Sequence, residues 1–441
     1  MRVCIQDIRG DLMKIIDSQS KAFKNEFNAL LGRGKMDMQS VEATVGLILN
    51  EIKIDGNRAL NDHIKKFDKW DVNEDNQLQI DTTLMKKAYD SIDSTLKDAL
   101  HLAYDRIYAF HQKQLPKSWM DFEDNGIVLG QKVSAVDRAG LYIPGGKAAY
   151  PSSMLMNAIP AIVAGVKEII VCTPAPNGEI NELLLAAMHL CKIEYAYKVG
   201  GASAIGAMAY GTESIPKVDV ITGPGNIFVA TAKKMVFGEV NIDMIAGPSE
   251  IGIIADKFAD PKFLALDLLS QAEHDEMASS ILITTSSKIA NSAREEVYKA
   301  LGKLDRKEIA TASIEHRGAI IIVKDLEEAC VLMNEIAPEH LELMVENPFD
   351  LLPRIKHAGA IFMGSYTPEP IGDYIAGPNH TLPTGGTAKF YSPLGVENFM
   401  KKTSIISMSR QGMDEIGHAC ALLAKTEGLD AHQKSVESRL D

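Results

Sequence analysis

The sequence predicts an α/β protein built on parallel sheets, and three observations carry this. From about residue 120 to 380, short apolar, β-branched runs alternate with segments of helical periodicity. Such alternation packs as parallel strands covered by helices on both faces. Glycine-rich turns adjoin the runs, at Tyr142-Ile143-Pro144-Gly145-Gly146, Val199-Gly200-Gly201-Ala202-Ser203 and Thr222-Gly223-Pro224-Gly225-Asn226, as tight strand-to-helix connections need. Both ends of the chain lack this texture and read as helical, up to about residue 120 and after Ser392.

Taken in order, the first third carries apolar residues at helical spacing, as over 41–49 and 84–110, with its charges on solvated faces. Strands are predicted at 168–172, 195–199, 218–221, 249–255, 280–284, 319–323 and 360–363. Helices are predicted at 226–236, 262–274, 290–301 and 326–337. The second of these opens with Asp260 as a cap and Pro261 in the first turn.

Composition excludes several classes. The 441 residues carry a formal net charge of −13 with both signs mixed along the chain, which does not suit a nucleic-acid binder. No apolar run is long enough for a membrane span, and Met1 to Asp11 holds no signal-peptide core. The five cysteines are far apart, with no C-x-x-C pair, so a soluble, reduced, cytoplasmic protein is expected.

Chemistry concentrates in a few polar clusters. Gln271 and His274 are three residues apart and share one helix face; an amide oxygen beside an imidazole is half of a divalent-metal site. A solvated helix end would look the same. Glu339 and His340 put a carboxyl and an imidazole side by side after Pro338, at a predicted helix end; both can move protons if their pKa values are tuned. Asp373 sits in a glycine- and proline-rich loop, and His380 lies between two prolines. His432 lies near the C-terminus, whereas His63, His101, His111, His189 and His418 have plain helical settings. One Gln, one Asp and two His would make an N2O2 set that suits zinc or another borderline divalent ion. The glycine turns lack G-x-G-x-x-G, although the third leads into a helix whose free N–H groups favour phosphate.

These motifs together resemble histidinol dehydrogenases. The resemblance rests on Ser270-Gln271-Ala272-Glu273-His274-Asp275, Ala337-Pro338-Glu339-His340-Leu341-Glu342, Gly372-Asp373-Tyr374, Gly377-Pro378-Asn379-His380 and Glu427-Gly428-Leu429-Asp430-Ala431-His432. Gly140 to Gly146, Gly223-Pro224-Gly225-Asn226 and Ala246-Gly247-Pro248-Ser249-Glu250 add to it. It runs in order from about residue 120 to the C-terminus.

The resemblance implies an NAD- and zinc-dependent enzyme that oxidises L-histidinol to L-histidine through the aldehyde. Its implied fold is two incomplete Rossmann-like parallel-sheet domains with small helical N- and C-terminal pieces, in an intertwined homodimer. The implied division is an N-terminal helical segment 1–35, a first Rossmann-like domain of 36–141 and 249–391, a second of 142–248, and a C-terminal tail 392–441 that reaches the partner. Implied zinc ligands are Gln271, His274, Asp373 and His432, with Glu339 and His340 catalytic. Ser249, His340, Asp373 and Glu427 match substrate contacts, with Gln271, His274 and His432 close by. His380, Ser152 and Ser153 match positions near the substrate. Tyr142 and Asn226 match cofactor contacts, and Ser203 stands at a third cofactor-binding position, where the family turn commonly carries Gln. That departure leaves a related dehydrogenase for another small polar alcohol, such as a sulfonated propanediol, as the alternative. A metal-dependent hydrolase using Glu339 and a non-catalytic metal-binding protein are readings of other classes.

Overall fold

The computed structural model describes residues 13–32, 38–72, 77–145 and 150–440. Cys4, Gly146 and the Met1–Asp11 segment considered above lie outside them. The strands are β1 (Lys14–Asp17), β2 (Trp119–Phe122), β3 (Val128–Ala135), β4 (Arg138–Tyr142), β5 (Glu168–Thr173), β6 (Tyr195–Lys198), β7 (Val220–Thr222), β8 (Asn241–Ile242), β9 (Glu250–Ala255), β10 (Ser279–Thr284), β11 (Ala319–Ile322), β12 (His340–Met344), β13 (Ala360–Met363) and β14 (Met400–Ser407).

Two parallel sheets share one plan. In the five-stranded sheet the order is β6-β5-β4-β7-β8; in the six-stranded sheet it is β1-β11-β10-β9-β12-β13. Each leads with a central strand, β4 or β9, adds two strands on one side, and then crosses to the other. This is the Rossmann order without its sixth strand, with a switch point beside the leading strand. All the pairings within both sheets are parallel. A third, antiparallel sheet, β14-β3-β2, joins the C-terminal arm to the body.

Side-chain alternation along the strands explains why both faces are covered. On one face of the five-stranded sheet, Leu141, Val171 and Val220 meet helices Pro151–Ala164 and Ser94–Gln112. On the other, Tyr142, Ile170 and Ile221 meet Gln39–Asp55, Asn57–Phe67 and Gly201–Tyr210. In the six-stranded sheet, Ile251, Ile253 and Leu282 face Pro261–Ala272 and Ser287–Leu301. Ile254, Ile283 and Leu343 face Phe23–Gly32 and Leu326–Ile336.

The observed grouping differs from the expected division. Helices between 39 and 112 pack on the five-stranded sheet, not on the six-stranded sheet with which they were grouped, because their apolar stripes match its two faces. Strand β4 is hydrogen-bonded into the five-stranded sheet along its whole length. The first described residues form a strand rather than a helix: Ile15 and Ile16 extend the six-stranded sheet beside β11. The C-terminal tail also begins as a strand, β14, before helices Arg410–Thr426 and Asp430–Glu437. No helix of the described residues is long and apolar enough to cross a membrane.

Candidate active site

A cavity of about 500 Å³ opens at the carboxyl ends of the five-stranded sheet. Its wall is built from the segments that follow the strands: Tyr142 closes β4, Pro174 follows β5, Gly200 to Ser203 follow β6 and Asn226 follows β7. The cavity therefore sits at the switch point between β4 and β7, where open α/β sheets bind ligands. Gly223 makes the turn possible. Its φ is +119°, and a Cβ there would fall 2.0 Å from the Tyr142 carbonyl oxygen. Tyr142, Ser203 and Asn226 all line this cavity.

Each of the three also has a structural task. The Asn226 side chain caps Ile227–Val236 by accepting from the N–H groups of Phe228 and Val229. The Tyr142 hydroxyl accepts from Gly201 N–H at 3.2 Å, and burial pushes its pKa up to about 12. Ser203 is only 4% exposed, in the first turn of Gly201–Tyr210 rather than in an open loop.

A second group of polar side chains gathers at the amino ends of β9 and β12. Glu250 begins β9 and His340 begins β12. The expectation that Glu339 and His340 stand at a helix end is corrected here. The helix stops at Ile336, Ala337 turns the chain through a left-handed φ of +51°, and His340 enters a fully buried strand. Glu339 is 7% exposed and His340 3%. Polar groups survive such burial only when they partner one another. Glu339 accepts from the Glu250 N–H at 3.0 Å, and Glu250 accepts from the Gly385 N–H at 3.0 Å.

His340 stands among three carboxyl groups. Its Nδ1 is 3.1 Å from the Glu250 carbonyl and 3.7 Å from Glu339 Oε2. Its Nε2 is 3.5 Å from Asp373 Oδ1 and 3.9 Å from Glu369 Oε1. A carbonyl only accepts, so Nδ1 carries the hydrogen and Nε2 is the nitrogen open to chemistry. Burial pulls the imidazole pKa down, but Glu339, Asp373 and Glu369 outweigh it and raise it to about 10. Burial drives Glu339 up to about 8, and Glu250 up to about 7.

The metal-ligand expectation divides. His274, Glu369 and Asp373 present ligand atoms that all lie within 4.8 Å of one another. Gln271 is one turn back from His274, whose N–H donates to its carbonyl at 3.2 Å. The Gln271 side-chain oxygen is buried without a hydrogen-bond partner, a costly state that a cation would relieve. The donor set of imidazole, amide and carboxylates fits zinc. His432 is not in this group. It lies with Glu427 on the exposed tail, where both line a separate cavity between the two terminal helices. Ser249, at the entrance to β9, accepts the Ser279 N–H at its carbonyl. His380 links the two sheets: Nδ1 meets the Asp373 carbonyl at 2.9 Å, and Nε2 lies 3.4 Å from the Ser153 hydroxyl. Among the described residues no hydrogen bond ties Ser152 into this group.

Two residues escaped the sequence reading. Glu369 stands one helical turn before Asp373, and that i,i+4 pair of carboxyls was its available signal. It is 1% exposed, and its Oε2 accepts from the Ser270 hydroxyl at 3.0 Å. His63, read as an ordinary helical histidine, lines the switch-point cavity and bonds to Ser203.

Comparison with known proteins identifies the family and the fold. The histidinol dehydrogenase family model matches residues 31–440. A histidinol dehydrogenase of Wolinella succinogenes is 66% identical over 428 residues, covering 97% of this chain and 99% of that one. One of Sulfurimonas denitrificans is 67% identical over 423 residues, covering 96% and 98%. The crystal structure of histidinol dehydrogenase from Elizabethkingia anophelis superposes with a TM-score of 0.92 at 35% identity, covering 98% of both chains. On its sequence, its two incomplete Rossmann-like sheets and these matches, the chain belongs to the histidinol dehydrogenase family.

Proposed function

We propose that this protein is a cytoplasmic homodimer that oxidises L-histidinol to L-histidine in two NAD-dependent steps, with a zinc ion held by Gln271, His274 and Asp373 and by His432 of the second copy. The observation that carries this reading is the placement of His340 Nε2 beside Asp373, one residue along the chain from buried Glu339. A proton acceptor, a second acid–base group and a metal-competent set therefore share one small volume.

When bound, zinc fixes the substrate's amine and imidazole nitrogens and offsets the carboxylate charge that otherwise keeps His340 protonated, while NAD accepts a hydride at each oxidation. In the first oxidation, His340 Nε2 takes the carbinol proton as the hydride leaves carbon, and the aldehyde forms. Glu339 then takes a proton from water as its oxygen adds to the aldehyde. His340 removes a proton from the resulting hydrate as the second hydride leaves, and the carboxylate forms. The first oxidation thus yields one reduced cofactor and one proton; hydration and the second oxidation together yield one reduced cofactor and two protons, one through Glu339 and one through His340. Glu250, through its carbonyl, fixes the imidazole so that the same nitrogen serves both steps. Ser249 and Glu427 hold the remaining polar groups of the substrate.

The tail supports the shared site. His274 is exposed although its neighbour Gln271 is 1% exposed, so the set lies open on one side. Exposed Leu422, Leu423 and Leu429 on the tail, with Trp119, Met120 and Phe122 on β2, form apolar surface that a second copy would cover. The dinucleotide is assigned to the cavity at Tyr142, Ser203 and Asn226.

The test is a substrate panel with zinc and NAD present. NADH formation with L-histidinol supports the reading. NADH formation only with a sulfonated propanediol or another alcohol would contradict it.

A further inference from the structure

Three helices bring a chain of polar groups to the wall of the cavity at the β4–β7 switch point. Glu51 lies on Gln39–Asp55, His63 on Asn57–Phe67 and Ser203 on Gly201–Tyr210. Glu51 Oε2 is 2.8 Å from His63 Nε2, and the other ring nitrogen, Nδ1, is 3.0 Å from the Ser203 hydroxyl. His63 is 7% exposed and Ser203 4%, while the Glu51 side chain is half exposed at 53%.

The donors and acceptors order themselves. A carboxylate can only accept, so His63 Nε2 carries the hydrogen that goes to Glu51. In the neutral ring Nδ1 is then a lone pair, and it takes the Ser203 O–H. The serine oxygen is left with its lone pairs free to accept. The nitrogens are used in the reverse of a Ser-His-Asp nucleophile triad, where serine bonds Nε2 and the carboxylate bonds Nδ1.

We propose that the Glu51–His63 pair is a positioning device that fixes Ser203 as a hydrogen-bond acceptor for a ribose hydroxyl of the dinucleotide. This rests on the assignment of the dinucleotide to that cavity. Ser203 and His63 both line it, together with Tyr142 and Asn226. Without His63 the serine hydroxyl rotates freely, and its acceptor direction is no longer set. His63 and Glu51 act through Ser203 and take no part in proton transfer from the substrate.

The experiment measures the Kd of NAD by calorimetry on the zinc-loaded full chain, with kcat and both KM values alongside. Ser203→Ala and His63→Ala should each weaken NAD roughly 5- to 10-fold, the range of one neutral hydrogen bond. The double variant should be no weaker than either alone, because both remove the same contact. For His63→Ala the KM for L-histidinol and kcat at saturating NAD should stay within about twofold of the parent. His63→Asn, whose amide oxygen can replace Nδ1 as acceptor, should recover most of the affinity. NAD lacking one ribose hydroxyl should bind the parent more weakly and bind Ser203→Ala no worse than NAD itself. The proposal is overturned if His63→Ala binds NAD normally while Asn226→Ala binds it weakly, or if the two losses multiply in the double variant. If Ser203→Ala, His63→Ala and Asn226→Ala all bind NAD normally, the cavity assignment falls too.

Discussion

His340 Nε2 and Asp373 Oδ1 stand 3.5 Å apart, joining the proton-transfer group to a member of the metal-competent set. The imidazole cannot turn away, because Nδ1 is tied to the Glu250 carbonyl at 3.1 Å. His340→Gln keeps much of the volume and removes the base. It should lower kcat about 100- to 10,000-fold, the usual worth of a placed general base. Zinc content by elemental analysis and NAD affinity by calorimetry should be unchanged. Retained kcat would remove His340 from the reaction.

Glu369 is the carboxyl that motif matching did not supply. It lies with His274 and Asp373 and is held by the Ser270 hydroxyl. Glu369→Gln keeps that contact and removes a negative charge beside the cation. We expect zinc to be lost roughly 10- to 100-fold more readily in competition with a chelator, as for groups that support metal ligands. Equal retention by variant and parent would show that Glu369 is only packing.

Glu250 gives a pH prediction with a defined sign. Burial raises its folded-state pKa from 4.5 to about 7, so the native state holds the proton more tightly than the unfolded chain. Its contribution to stability is present below pH 4.5 and falls as pH rises towards 7. Glu250→Gln removes this slope. Relative to the parent, the variant should gain stability across that window, by at most about 3 kcal/mol. Denaturant unfolding of metal-free protein at several pH values checks this. A stability difference independent of pH would contradict it.

The shared site predicts complementation. His274→Ala and His432→Ala homodimers should each be nearly inactive, since every site lacks one ligand. After the two chains are mixed, reversibly dissociated and reassociated, mixed dimers should hold one intact site, and activity should return. No recovery, with mixed dimers demonstrated by mass, would place all the ligands in one copy.

Regular apolar texture made much of the fold legible. Strands expected at 168–172, 280–284 and 360–363 are observed at Glu168–Thr173, Ser279–Thr284 and Ala360–Met363. Elements with mixed polarity were not legible. In β12, His340 and Glu342 alternate with Leu341 and Leu343. The polar face looks like surface until distant carboxyls are seen to receive it: burial, with Asp267 beside it, drives Glu342 well above the normal range. Strands β3 and β14 were missed because they form a partly exposed two-sided arm with no apolar face of their own. Motif spacing named the members of the site but could not bring them together. His274 meets Asp373 only because the Pro261–Ala272 helix contacts the Glu369–Tyr374 helix. His63 had no local signal at all, since its partners are 12 and 140 residues away.

The central claim is that one buried pair, Glu339 and His340, serves two successive oxidations without releasing the aldehyde. The most direct measurement is the ratio of NADH formed to histidine formed, with an aldehyde trap in solution, for the parent and for Glu339→Gln. The parent should give two NADH per histidine and almost no trapped aldehyde, while Glu339→Gln should give about one NADH per trapped aldehyde and little histidine. One NADH per trapped aldehyde from the parent, or an unchanged ratio and rate in Glu339→Gln, would contradict the account.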